Sequence, residues 1–329
     1  MGSVLNSAVQ TGAGFSQQVN SVRDVFSAEI WYSALPILKF DQFSTKKTEL
    51  GVQPGRTIQL PKFGNIKRGG RLTEGVRLQT RGMSMSQQSL TVWENGNAIG
   101  FTEYLLQTAF FDQLAAASLL LGRDMAVVLD LQLRAAIMLA TNTVFANGKA
   151  SRDLLVAADV MDTRSIKDAV EILETTNSPK WAGDHYICFL HPHQGRGLRD
   201  DNDWINASLY AGSQQIYTGE IGRYEDVRFI VTTVMPNGAN NAVDTSTGDF
   251  VDPGYDANLR VGAGVPANQV NVYQSVMFGE YAYGHATSLP VELRDNGTED
   301  YGREHGLAWY SIWGEGLLET DNSVVIETA

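Results

Sequence analysis

"RTIQLPKFGNIKRGGRLTEGVRLQTRGMSMSQQSLTVWENGNAIGFTEY", residues 56–104, holds the pattern on which the fold turns. Its flanks, "RTIQLPKF" at 56–63 and "SLTVWENGNAIGFTEY" at 89–104, have the Val, Ile, Thr and Trp content of strands, with Asn95, Gly96 and Asn97 reading as turn residues. Between them, "NIKRGGRLTEGVRLQTRG" carries Lys67, Arg68, Arg71, Arg77 and Arg81 against one acid, Glu74, and glycines at 64, 69, 70, 75 and 82 space it out. Leu72, Val76 and Leu78 give a weak period-2 alternation but no core. The pattern predicts a long two-stranded β-excursion leaving the body of the protein. Such a hairpin is marginal in water by itself, so it needs a partner surface.

The charge of that loop runs against the rest of the chain. The 329 residues have a formal net charge of −12, and the loop contributes +4, so everything outside it sums to −16. Generic nucleic-acid binders carry a broad positive field, because affinity comes largely from displacing counterions. A local clamp by the basic loop 65–82, on a soluble nucleic-acid-binding accessory protein, is the reading this balance leaves open.

With 43% hydrophobic and 19% charged residues the composition is that of one or two globular domains. Cys188 is the only cysteine, which excludes an intrachain disulfide and a thiolate zinc cluster, and inside "HYICFLH" it reads as a buried, inert thiol. The N-terminus has neither a basic n-region nor an apolar core of signal type, and no run reaches the ~20 apolar residues of a membrane span. A soluble protein made in a reducing cytoplasm is expected, and the triplets at Asn206 and Asn296 read as chance glycosylation matches.

Residues 1–30 are polar and read as an arm that orders only against something else, and "AEIWYSALPILKF" could anchor it. Residues 105–141 give the strongest helix signal, a rod of roughly 50 Å that Gly122 can bend. Leu114, Leu121, Met125, Val128 and Leu139 form one stripe, while Leu120, Val127, Leu131 and Leu133 point elsewhere, so several faces are apolar. The helix is either a core element or a spine that also touches neighbours. "DTRSIKDAVEILETTN" at 162–177 reads as a capped amphipathic helix, "HYICFLHP" as a buried strand, and "VRFIVTTVM" as another. Residues 236–270 read as a loop insertion, and the C-terminus as two strands around an "ETDNS" turn. The order is α+β without βαβ repetition.

Candidate chemistry is thin. His191 and His193 in "HPHQ" could chelate a metal, yet no second ligand cluster is near in sequence, and His before Pro is a routine strand-to-helix junction. Asp200, Asp201 and Asp203 lack the glycine and terminal glutamate of a calcium loop and fit a helix cap or acidic turn. Arg303, Glu304 and His305 supply acid, base and imidazole without a nucleophile elbow, P-loop or dinucleotide fingerprint. A hydrolase built on His191, His193 and residues 200–203 is the weakest reading. No enzyme activity, cofactor or metal is expected.

Taken together, the strings "TKKTELGVQPGRTIQLPKFGNIKRGGRLTEGVRLQT", "LLQTAFFDQLAAASLLLGRDMAVVLD", "HPHQGRGLRDD" and "SLPVELRDNGTEDYGREHGLAWYSIWG" resemble the podovirus-like major capsid family of tailed bacteriophages, with the Hong Kong 97-type fold. The resemblance spans residues 30–329 apart from the 236–270 insertion. It implies an N-terminal arm at 1–30, an anchor segment at 31–55 and an extended loop at 56–102 lying over an adjacent subunit. It implies a peripheral domain with the spine helix at 103–159 and 276–329, and an axial domain at 160–275. The implied function is a virion protein that self-assembles into pentamers and hexamers of an icosahedral head around double-stranded DNA, without sequence-specific contacts and without a membrane. Its implied partners are itself and scaffold, portal and decoration proteins, the scaffold being separate because no long scaffolding segment precedes the arm. Lys67, Arg68, Arg71, Glu74, Arg77 and Arg81 are then expected at an inter-subunit contact.

Overall fold

The structure, a computed structural model, describes residues 39–49, 55–64, 66–71, 74–75, 77–78, 80–109, 112–204, 222–236 and 272–329. The arm expected at 1–30, most of the insertion expected at 236–270, part of the anchor segment and the Asn206 triplet lie outside them.

Twelve strands and four α-helices are described. In chain order they are β1 (Thr45–Lys47), β2 (Thr57–Phe63), β3 (Met85–Thr91), β4 (Trp93–Thr102), α1 (Glu103–Thr108), α2 (Gln113–Ile137), β5 (Asn142–Phe145) and α3 (Thr163–Thr175). There follow β6 (Tyr186–Leu190), α4 (Pro192–Asp200), β7 (Gly222–Tyr224), β8 (Val227–Val231), β9 (Tyr273–Phe278), β10 (Tyr283–Glu299), β11 (Glu304–Leu317) and β12 (Ser323–Thr328).

β6 explains the larger sheet. All five of its residues are buried, so it reads as an unbroken apolar run, as a strand covered on both faces must. Tyr186, Cys188 and Leu190 join Ile166, Ala169, Val170 and Leu173 of α3 on one face. Ile187 and Phe189 join Leu133 and Ile137 of α2 on the other. The sheet runs β5-β12-β9-β6-β8-β7 with mixed directions, and β6 lies parallel to β8 but antiparallel to β9.

A second sheet, in the order β1-β10-β11-β4, is built on the long β10–β11 hairpin. Among the described residues β10 is an edge strand beyond Thr287, since β1 pairs with Gly284 to Ala286, and Pro290 is tolerated there beside two register shifts. α2 joins the two sheets. Its first half packs Ala117 and Leu121 against Phe101, Leu307, Trp309 and Trp313, and its second half lies on the larger sheet.

Three expectations are corrected. The helix expected over 105–141 is two helices, because Asp112 adopts extended backbone and caps α2 by accepting from the amides of Leu114 and Ala115, both at 3.1 Å. α2 then continues through Gly122 to Ile137, about 38 Å at 1.5 Å per residue. Asn95, Gly96 and Asn97 are not a turn; they sit inside β4, where Gly96 faces Tyr310 of β11. A Cβ at Gly96 would lie 2.8 Å from the Trp309 carbonyl oxygen, so the residue signals a close approach of backbones. The two C-terminal strands do form, but not as a pair: β11 belongs to the hairpin sheet and β12 pairs with β5 and β9.

Candidate assembly surface

The excursion expected from the sequence is the β2–β3 hairpin. Its strands pair antiparallel from Thr57↔Thr91 to Phe63↔Met85, and the Gly64 amide extends the ladder to the Ser84 carbonyl at 2.9 Å. The root is well anchored. Leu90 and Val92 are buried against Ala286, with Ile58, Leu60, Ile312 and Leu318 around them. The Gln88 side chain donates to the Leu317 carbonyl at 2.9 Å, and Lys62 pairs with Glu319. At Val92 the chain leaves β3 and enters β4, crossing directly over Gly314, where a Cβ would come within 2.0 Å of the Thr91 carbonyl oxygen.

Away from the root the character changes. Phe63, Ile66, Leu78, Met83 and Met85 are all more than half exposed, Met83 the most at 72%. Lys67, Arg68, Arg71, Glu74, Arg77 and Arg81 are exposed as well. Arg81 is used within the loop: its Nη1 donates to the carbonyls of Lys67 at 2.6 Å and Arg68 at 2.9 Å, tying the outgoing and returning strands together. Among the described residues, Lys67, Arg68, Arg71 and Arg77 have no carboxylate within 4.0 Å. Glu74 and Gly75 form a turn, and Gly75 takes a φ of +79° that favours glycine. The excursion thus exposes large apolar side chains next to cations that have no carboxylate within 4.0 Å among the described residues.

Most of the catalytic and metal candidates are engaged with neighbouring groups. His191 is the N-cap of α4: its Nδ1 accepts from the His193 amide at 3.2 Å, while Gln194 Oε1 accepts from the His191 amide at 3.3 Å. Both imidazoles lie against Tyr273, with ring centroids 4.9 Å away for His191 and 4.2 Å for His193. Asp201 receives the amide and hydroxyl of Thr163 at 2.8 and 2.9 Å. Burial pushes its carboxyl up, but these bonds outweigh that and hold it below the usual range. Asp200 pairs with Arg196 and Asp203 with Lys167. Arg303 pairs with Asp300 at 3.2 Å, and His305 Nε2 lies 3.1 Å from Glu103 Oε2. Cys188 is fully buried and its thiol is pushed far up by burial. Among the described residues no three His, Cys, Asp or Glu side chains gather as metal ligands, and no helix is long and apolar enough to cross a membrane.

No protein-family model matches the chain, and no curated protein sequence does either. Solved structures do. The chain is similar to one in the cyanophage Pam1 capsid asymmetric unit, with a TM-score of 0.72 at 13% identity, covering 94% of this chain and 97% of that one. A chain from the head of Helicobacter pylori bacteriophage KHP40 matches with a TM-score of 0.70 at 13% identity, covering 100% and 99%. A chain of the cyanophage P-SCSP1u capsid matches at 0.69 with 14% identity, covering 94% of each. The chain has the fold of these phage capsid subunits. The α+β, Hong Kong 97-type capsid fold expected from the sequence therefore stands.

Proposed function

We propose that this chain is a tailed-phage major capsid protein, a non-enzymatic subunit that assembles through pentamers and hexamers into an icosahedral head around double-stranded DNA. The observation that carries the reading is the likeness of fold to phage capsid chains over 94% to 100% of this chain. The β2–β3 hairpin supports it, because apolar and cationic groups that are a liability on a monomer become buried area in a shell. Residues 56–102 act as the extended loop over a neighbour, 103–159 and 276–329 as the peripheral domain around α2, and 160–275 as the axial domain. Each loop contact is weak, but a closed shell makes many at once. The acidic remainder keeps the inner surface from adhering to packaged DNA. Synthesis in the bacterial cytoplasm and dependence on scaffold, portal and decoration proteins belong to the same reading.

Deleting the excursion tests it. The Gly64–Ser84 pair closes the ladder, so a short turn can replace residues 65–83 without touching the root. The shortened chain is expected to fold with unchanged thermal stability and to sediment as free subunits while the full chain forms particles. Normal particles from the shortened chain would contradict the role given to the loop. If instead the full chain forms no particles and binds DNA with a steep salt dependence that the deletion abolishes, the nucleic-acid clamp is the correct reading.

A further inference from the structure

β10 leaves one side of the hairpin sheet open. Among the described residues β1 covers that side only at Gly284 to Ala286, so further along the strand the backbone groups that point away from β11 have no strand beside them. An edge of this kind invites pairing unless proline, a bulge or repelling charge guards it. Pro290 and the register shifts around it guard the first part. The next four residues, Glu292 to Asp295, run opposite Tyr310 to Leu307 without a shift, and all four are exposed. Leu293 is 55% exposed although it lies opposite the buried Trp309, so the apolar face beneath α2 reaches the edge of the sheet and stops there uncovered.

The charges of this stretch suit a second copy of itself. Glu292 and Arg294 lie opposite Tyr310 and Ala308, on the face away from α2, half exposed and 3.2 Å apart, with Arg294 stacked 4.0 Å over the Tyr310 ring. When two identical edges pair antiparallel, a residue whose backbone points outward can meet only another that does so, and the two-fold axis therefore passes at a residue that faces its own copy. An axis at Glu292, Arg294 or Asp295 would set that charge against itself. An axis at Leu293 sets leucine against leucine, and Glu292 of each copy against Arg294 of the other. The four charges then alternate around a square on one face while the two leucines meet on the other.

We propose that Glu292–Asp295 of β10 is a contact between two copies of this chain, paired antiparallel edge to edge about a two-fold axis at Leu293. The axis is perpendicular to the sheet, so both copies keep α2 on the same side of one continuous sheet. The inference rests on the shell-subunit reading and adds a contact that uses no residue of the β2–β3 hairpin. Four residues a side hold weakly alone, and a shell that repeats the contact makes it effective.

Leu293→Cys tests the register on the 329-residue chain, because residues directly opposite in an antiparallel pair have Cα atoms about 5 Å apart, within disulfide reach. Cys188 is buried, so introduced thiols report cleanly. Mild oxidation of Leu293→Cys chains should give a disulfide-linked dimer. Asp295→Cys chains should not, since their thiols would sit about 14 Å apart along the strands. Glu292→Arg or Arg294→Glu, added to Leu293→Cys, should slow dimer formation about fivefold or more, and the two together should restore most of the rate. Unchanged thermal unfolding of these variants separates association from folding. Particles whose Leu293→Cys chains stay single on a non-reducing gel, or whose Asp295→Cys chains dimerise as readily, overturn the pairing and leave the shell reading standing. A photo-crosslinker on the Leu293→Cys thiol that captures residues 1–38 or another protein in place of β10 overturns it as well. A selective dimer from chains that form no particles supports the pairing and counts against the shell. Chains that form neither overturn both.

Discussion

The indole nitrogen of Trp313 donates to Oε1 of Gln132 at 2.6 Å, and the amide of the same Gln132 donates to Asn95 Oδ1 at 3.0 Å. One buried side chain of α2 thus pins β11 and β4 together beneath the helix. Two turns earlier Asp124 repeats the device, receiving Trp309 Nε1 at 2.9 Å and Asn97 Nδ2 at 3.0 Å. Trp309 and Trp313 stack on each other, with rings 5.5 Å apart. Replacing Gln132 by Leu strands the Trp313 donor in the core. Urea unfolding should show a loss of about 1–3 kcal/mol, and a Trp313→Phe change made on top of Q132L should recover part of it.

Phe40 links the segment that follows the undescribed N-terminal residues to the body. Its amide donates to Asp130 Oδ1 at 2.7 Å, its carbonyl accepts from the Tyr283 hydroxyl at 2.5 Å, and its ring lies 4.3 Å from that of Phe189. Burial pushes the Asp130 carboxyl up. Asp130→Asn keeps the acceptor and removes a costly buried charge, so its stability should match the native chain or exceed it. Asp130→Ala leaves the amides of Lys39 and Phe40 unpaired and should cost about 1–3 kcal/mol by the same unfolding assay.

The α4 cap is pH-sensitive. His191 accepts the His193 amide only as neutral imidazole, and burial together with the neighbouring His193 lowers its affinity for protons in the fold. The folded chain then binds fewer protons at this site than the unfolded chain, so its stability is present above the unfolded value near 6.5 and is lost as pH falls below it. His191→Asn supplies a cap that does not titrate. Its urea midpoint should fall less than that of the native chain between pH 7 and 5, the cap itself being worth about 1 kcal/mol.

Asp41 works in a more acid window. The His285 imidazole, its Nδ1 3.7 Å from Asp41 Oδ1, opposed by burial and helped by Lys46, holds the Asp41 carboxyl at about 2. Its contribution is complete above the unfolded value of 3.8 and fades as pH drops towards 2. In Asp41→Asn the loss of stability between pH 4 and 2 should be shallower than in the native chain.

Two glycines should respond oppositely to alanine. Gly314 lies beneath the crossing backbone of Thr91 and Val92, so Gly314→Ala should cost about 3 kcal/mol and loosen the hairpin root. Gly122 sits in mid-helix with nothing within 4 Å of an added Cβ, and Gly122→Ala should stabilise by about 1 kcal/mol in thermal unfolding.

The excursion was legible because its loop combined cations and glycines with too few apolar residues for a core, and β6 because every residue from Tyr186 to Leu190 had to be buried. Asp162, one of two cap candidates with Thr163 at the start of the segment read as a helix, is the N-cap of α3. Asp112 does the same for α2, but the Ala- and Leu-rich run on both sides hid it. Asn95 and Gly96 have turn-type composition for a long-range reason: the Asn95 side chain accepts from Gln132, and the missing side chain of Gly96 leaves room for the Trp309 carbonyl. The strand exchange at Glu319 to Ser323 was not legible, since pairing partners are fixed by tertiary contacts such as the Asn322 amide on the Glu280 carbonyl, 3.0 Å.

Electron microscopy of the 329-residue chain, produced in bacteria alone and together with the proteins encoded beside it, shows whether it builds a shell. Closed icosahedral shells are expected, with rings of five and six subunits as their building units. Uniform monomers under both conditions, with no shell, ring or ordered sheet, would contradict it.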